Sequence, residues 1–174
     1  MQFSSRSKRP VLDLKLSPQD TIIELACICI LIISWVYAAV QYPKLPVVIP
    51  THYNLNGVVD GYGPKSTTWI LPAVGTGITL LLTFLNRYPH VFNYPVQITK
   101  NNAEYIYTKA TKMIRYLKLA ILLIFFIIDI NSIRLAQTGH SFIGRWFAGT
   151  VIILLFVPTI VFLYSAFFGA KKKK

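Results

Sequence analysis

Three residues in one polar passage, His52, Asn54 and Asp60, combine an imidazole, an amide and a carboxylate, so between them they can donate, accept and titrate. No similar cluster recurs in the chain. Each also has a plainer reading. His52 is either a ligand or proton-carrying residue, or a histidine whose ring bonds the turn backbone. Asn54, Asn56 and Asp60 either offer oxygens to a cation or form turns, as Asx residues beside glycine ordinarily do. A calcium loop needs a denser ligand set. A zinc site from His52, Asp60 and His140 has no recognised spacing. Neither a G-x-S-x-G elbow nor an H-E-x-x-H pair occurs, so the sequence assigns no catalytic residue, no metal ligand and no cofactor, and the expectation is a protein that is not an enzyme.

A second set lies in apolar surroundings. Asp129 follows the unbroken run from Leu119 to Ile128, and Ser132 falls on the same helical face three residues later. With His52, Asp60 and Lys65 from the first loop, Asn131 and Arg134 nearby, and His140 and Arg145 from the last loop, these residues are expected to form one polar pocket. Glu24 is a further acid at a costly depth and needs a partner. Arg115 and Lys118 lie at a comparable depth on another segment; the alternatives are snorkelling or a contact with Lys15.

The elements that must position these groups are membrane spans. Hydrophobic residues make up 54% of the 174 and charged residues only 14%, with a mean hydropathy of +0.52, too apolar for a typical soluble domain. Trp and Tyr cluster near the ends of the apolar runs, where amphipathic rings favour the interface. Ser17-Pro18-Gln19-Asp20 starts a helix by its capping box. That helix runs to Gln41, about 36 Å, enough to cross a hydrocarbon core of about 30 Å. Further spans are expected over 67–85, 116–135 and 146–168. Ala73 and Gly77 offer the second span a small packing face. Asn101 and Glu104 are expected to cap a helix that leads straight into the third span, and Pro158 predicts a kink in the fourth.

The predicted fold is therefore all-α, a four-helix integral membrane bundle forming one domain over 1–174, with a structured, turn-rich outer loop between spans one and two. Pro46 and Pro50 stiffen that loop, and Asn56-Gly57 and Asp60-Gly61 mark tight turns. Arg6, Lys8, Arg9 and Lys15, then Arg87, Lys100, Lys109, Lys112, Arg115 and Lys118, then Lys171 to Lys174 flank one side of the spans. Only Lys44, Lys65, Arg134 and Arg145 flank the other, so both termini are expected to be cytoplasmic and the loop to face outward.

The net charge of +12 is accounted for by this orientation and does not form the continuous basic face that nucleic acid requires. Cys27 and Cys29, two apart on a helix, point in different directions and are expected to pack, not to bridge. The first apolar run has no A-x-A-like site after it and is expected to stay in the protein. On the cytoplasmic side, 101–118 places Lys109, Lys112, Arg115, Tyr105 and Tyr116 on a helix entering the membrane. It suits attraction to anionic lipid or, alternatively, docking of a cytosolic regulator.

Within 42–67, Leu45-Pro46, Ile49-Pro50, His52, Asn54, Gly57, Asp60-Gly61 and Lys65-Ser66 closely resemble the hallmark of the family catalogued as domain of unknown function 1648. The resemblance covers roughly Thr21 to Leu85, and the portion from Tyr88 through Lys118 is also similar to small bacterial members. It implies a multi-pass protein of a bacterial cytoplasmic membrane, and within it the candidate binding residues are His52, Asn54, Gly57, Asp60, Gly61, Lys65 and, by position, Asp129. The group includes SdpI-like proteins, which have further spans; the best known confers immunity to a secreted toxin and sequesters a transcriptional repressor. Recognition of an extracytoplasmic peptide or toxin, or signal relay, is the function so implied. The rivals are a small transporter or ion-coupled pathway using Asp129 and Glu24, a membrane enzyme using the His52 and Asp60 pocket, and an accessory membrane subunit.

Overall fold

A computed structural model describes residues 9–169; the expected flanking charges Arg6, Lys8 and Lys171 to Lys174 lie outside the described residues. The first helix, α1, spans Pro18–Gln41. Its capping box closes in both directions: Ser17 Oγ accepts from the Asp20 amide at 3.2 Å, and the Ser17 amide donates to Asp20 Oδ2 at 2.9 Å. Two orphan donors at the helix start are thereby satisfied.

The passage after α1 is a β-hairpin, an element the turn chemistry implied only as a fixed shape. Strand β1 (Val48–Tyr53) pairs antiparallel with β2 (Val59–Pro64), with Ile49 opposite Gly63 and His52 opposite Gly61. Pro50 is tolerated because both strands of a two-stranded sheet are edges. Asn54 builds the turn: its Oδ1 accepts from the amides of Asn56 and Val58 at 2.9 and 3.1 Å. Gly57 supplies the left-handed residue at φ +75°. A short 3-10 segment, Lys65–Trp69, leads into α2 (Ile70–Leu85).

The long helix α3 (Ala103–Thr138) is the axis of the bundle and packs against α1, α2 and α4 (Arg145–Tyr164). At 36 residues it is about 54 Å long and outreaches a hydrocarbon core. Its start corrects the expected cap. Asn102, not Asn101, precedes the first turn, and its side chain is spent on the Thr99 amide and the Gln97 carbonyl. Gly139 ends the helix at φ +74°, a left-handed C-terminal stop. Pro158 lies inside α4, which closes in a π turn, Ser165–Gly169.

All four helical segments are long and apolar enough to cross a membrane, and their large side chains are widely exposed: Ile22, Ile32 and Val36 on α1, Leu80 and Phe84 on α2, Ile153 and Phe156 on α4. The chain is a multi-pass membrane protein whose apolar exterior faces lipid. Helix packing between α2 and α3 corrects a second expectation. Ala73 and Gly77 face outward, and Gly75 is the close-approach position, where an added Cβ would stand 3.1 Å from Leu122 and 3.6 Å from Leu31. Cys27 is buried against Ile23 and Leu122, while Cys29 is exposed; both are free thiols.

At the end remote from the hairpin, Arg9 ties the N-terminal segment to the loop between α2 and α3. Its Nη1 donates to the Phe92 and His90 carbonyls at 2.5 and 3.3 Å, and its guanidinium lies over the Tyr94 ring at 5.5 Å. Burial pushes the Tyr94 phenol well above its ordinary range.

Candidate functional site

The hairpin folds back over the ends of α3 and α4. Leu45 and Ile49 are buried against Ile133, and the Tyr53 phenol shares a hydrogen bond of 2.9 Å with Ser132 Oγ. Burial raises the Tyr53 phenol, and its bonds with Ser132 and Asn131 oppose that shift. The connection from α3 to α4 is organised by Asn131, whose Oδ1 accepts from the amides of Phe142 and Ile143 at 2.9 and 3.2 Å and from Ser141 Oγ at 3.1 Å. That connection meets the hairpin tip so closely that a Cβ on Gly57 would stand 2.7 Å from Gly144 Cα.

Beneath this roof is a pocket of about 550 Å³. Its walls come from β1 and the turn (Ile49 to Asn54, Leu55, Gly57), the start of α2 (Ile70, Leu71), α3 (Ile128, Asp129, Ser132) and the start of α4 (Phe147, Ala148, Val151, Ile152). The volume suits a small ligand, and so does the composition: an apolar lining with a few convergent polar groups. Asp129 is 4% exposed and its carboxyl group makes no hydrogen bond or ion pair among the described residues; its Oδ2 is enclosed without a partner. The Thr68 hydroxyl, also at the wall, is likewise unpartnered.

This geometry brings together only part of the expected cluster. His52, Asn54, Gly57, Asp129 and Ser132 line the pocket, whereas Asp60, Gly61, Lys65, Asn131, Arg134, His140 and Arg145 do not. The single polar pocket is thus corrected to a largely apolar one, because the loop's polar groups are consumed locally. Asn54 is a turn former. Asp60 pairs with His52 Nδ1 on the exposed side of the hairpin. Gly61 makes room for that histidine, since a Cβ there would come within 2.8 Å of His52 Cβ. Lys65 lies over the Tyr42 ring at 4.7 Å. His140 is exposed, its amide held by Thr138 Oγ1 at 3.2 Å.

Glu24 lies far from this site and is fully engaged. Its Oε2 accepts from Lys118 Nζ at 2.5 Å, its Oε1 lies 3.3 Å from Arg115 Nε, and Lys118 also donates to Thr83 Oγ1 at 2.8 Å. Asp20 extends the cluster through Arg115 at 3.6 Å. Nearby, Gln19 joins Lys112 and Tyr116 at 2.7 and 2.9 Å, stitching the start of α1 to α3. No group of three or more His, Cys, Asp or Glu that could hold a metal occurs among the described residues.

Tyr53, Thr68, Phe147 and Ala148 are wall residues that the sequence did not single out. Tyr53 alone carried a signal, as an aromatic next to His52 in the patterned loop; the others read as ordinary span residues.

No solved structure matches the chain. An uncharacterized protein of Archaeoglobus fulgidus is 36% identical over 69 residues, which cover 35% of this chain and 38% of that relative. The chain therefore spans well under half the length of the relative it resembles. Residues 29–76, from the middle of α1 through the hairpin to the first turns of α2, match the family described as a domain of unknown function (DUF1648), the same family that the loop motif resembles.

Proposed function

We propose that the protein recognises a ligand at the outer face of a prokaryotic cytoplasmic membrane, without catalysis, and serves immunity or signal relay. One observation carries this reading: the hairpin roofs a ligand-sized pocket between α2, α3 and α4. The charge distribution supports an outward hairpin, since the loop from Arg87 to Lys100 and the approach to α1 hold most of the described basic residues outside the spans. A relay of binding across the membrane has a physical candidate in α3, which lines the pocket at Asp129 and carries the Arg115 and Lys118 ion pairs toward its other end. The stretch 101–118 is the proposed contact for a cytosolic regulator. Lys112 and Tyr116 are already committed to Gln19, which leaves Lys109, lying over the Tyr105 ring at 5.7 Å, as the basic group for such a contact.

The ion-pathway alternative has less support. Below Asp129, Leu31, Gly75, Leu122 and Phe125 surround a void of only about 10 Å³, barely the space of one water.

Ala148→Trp, which fills the pocket from α4, provides the test. Cells expressing the variant, with membrane insertion verified, are challenged with the secreted peptide fraction of the source strain. The reading expects protection or signalling by the wild type and its loss in the variant. Equal behaviour of the two would sink it.

A further inference from the structure

The unpartnered acid at the pocket wall stands apart from the other acids enclosed between the helices among the described residues. Glu24 has Lys118 and Arg115, and Asp20 has Ser17 and Arg115, so this chain supplies cations where it buries carboxyl groups. Among the buried acids of the described residues, Asp129 alone is left without one. The pocket lining contains no lysine or arginine, and its single imidazole, His52, is held by Asp60 through Nδ1. A buried carboxyl group without a partner in apolar surroundings is costly, and this one stands at the wall of a pocket large enough for a ligand to supply the missing group.

The rest of the lining defines the body of that ligand. Ile49, Leu71, Ile128, Phe147, Val151 and Ile152 offer hydrocarbon, with Tyr53 and Ser132 already bonded to each other. The wall also reaches the lipid-facing surface, since Ile70 and Ile152 are 53% and 58% exposed. In a membrane, that rim opens onto acyl chains.

We propose that the pocket binds a membrane-soluble amine: an apolar body in the lining, entering from the bilayer, and an ammonium group donating to Asp129. This rests on the outer-face recognition reading and names the chemistry of the ligand. An ammonium and a carboxyl group satisfy each other whichever holds the proton, because in either state one donates and the other accepts. A fatty carboxylate would pair with Asp129 only by sharing a single proton between two acids, and without that proton would set like charges against each other. A fatty alcohol would fill the lining with a weaker, neutral hydrogen bond.

The full chain in nanodiscs tests this with three photoreactive probes of one chain length: a diazirine-bearing dodecylamine, dodecanol and dodecanoate. Labelled positions are mapped by mass spectrometry. The amine is expected to label wall residues of α4 and the start of α2, about tenfold more than either analogue. Asp129→Asn should abolish that preference while the variant keeps the wild-type melting profile, and Ala148→Trp should abolish wall labelling by all three probes. If Asp129→Asn does not insert, Ala148→Trp and the three-probe comparison still decide. Equal labelling by the three probes, blocked by Ala148→Trp, overturns the amine assignment and leaves a binding pocket. Labelling indifferent to Ala148→Trp overturns the pocket as well.

Discussion

Gly57 at the hairpin tip and Gly144 before α4 approach so closely that a side chain on Gly57 would run into the Gly144 backbone. The relationship is one-sided. A Cβ on Gly57 meets the Gly144 backbone at 2.7 Å and also suffers φ +75°, whereas a Cβ on Gly144 meets only the Trp146 side chain at 3.5 Å. Gly57→Ala is therefore expected to lift the tip from the α3–α4 connection and raise amide exchange in β1 and β2 by about tenfold or more, with Gly144→Ala close to wild type. Exchange mass spectrometry of both variants checks the asymmetry.

Charge removal at the other end should behave differently. Lys118 is 0% exposed, so Glu24→Gln leaves a buried ammonium with half its support, at a cost of about 3 kcal/mol. Lys118→Met together with Glu24→Gln should recover much of that loss, since no buried ammonium then remains. Thermal unfolding in one detergent gives the comparison; a double variant less stable than Glu24→Gln alone would contradict it.

The His52–Asp60 pair is exposed, with side chains 72% and 44% accessible. Replacing either by Ala should change stability by about 1 kcal/mol or less. Any loss of ligand binding in His52→Ala would then report a role in the pocket and not a failure to fold.

Tyr53 anchors the hairpin to Ser132, and Tyr53→Phe should cost about 1 kcal/mol of hairpin docking. Because burial raises its phenol, the contribution is fully present below the ordinary phenol value of about 10 and disappears as pH rises through the higher folded value. An ultraviolet tyrosinate titration of wild type and Tyr53→Phe should show one late-ionising phenol missing from the variant.

On α2, Gly75→Val should wedge Leu122 and Leu31 apart and destabilise the α2–α3 contact, whereas Gly77→Val meets open space. Cross-linking efficiency between α2 and α3 separates the two. Sequence periodicity named the wrong small residues here because a span that is apolar all round gives no sign of which face meets protein and which meets lipid. The same blindness hid Thr68, Phe147 and Ala148. Helix limits were legible where local chemistry fixed them, as at Ser17-Pro18-Gln19-Asp20. The depth of Asp129 could be read, but its lack of a partner could not, because that depends on which side chains three other elements bring near it.

The hairpin's resting place also orders the assembly of the protein. β1 and β2 can pair as soon as span one and the following loop leave the ribosome, but their seat is built by Ile133, Ser132 and Gly144, which emerge much later. Until α3 inserts, Leu45 and Ile49 lack Ile133 and Ala136 and have only Tyr37 of α1 from their final cluster beside them. The nascent chain thus passes through a stage in which the hairpin segment, two strands with no third to hold them, waits unseated for its own C-terminal half.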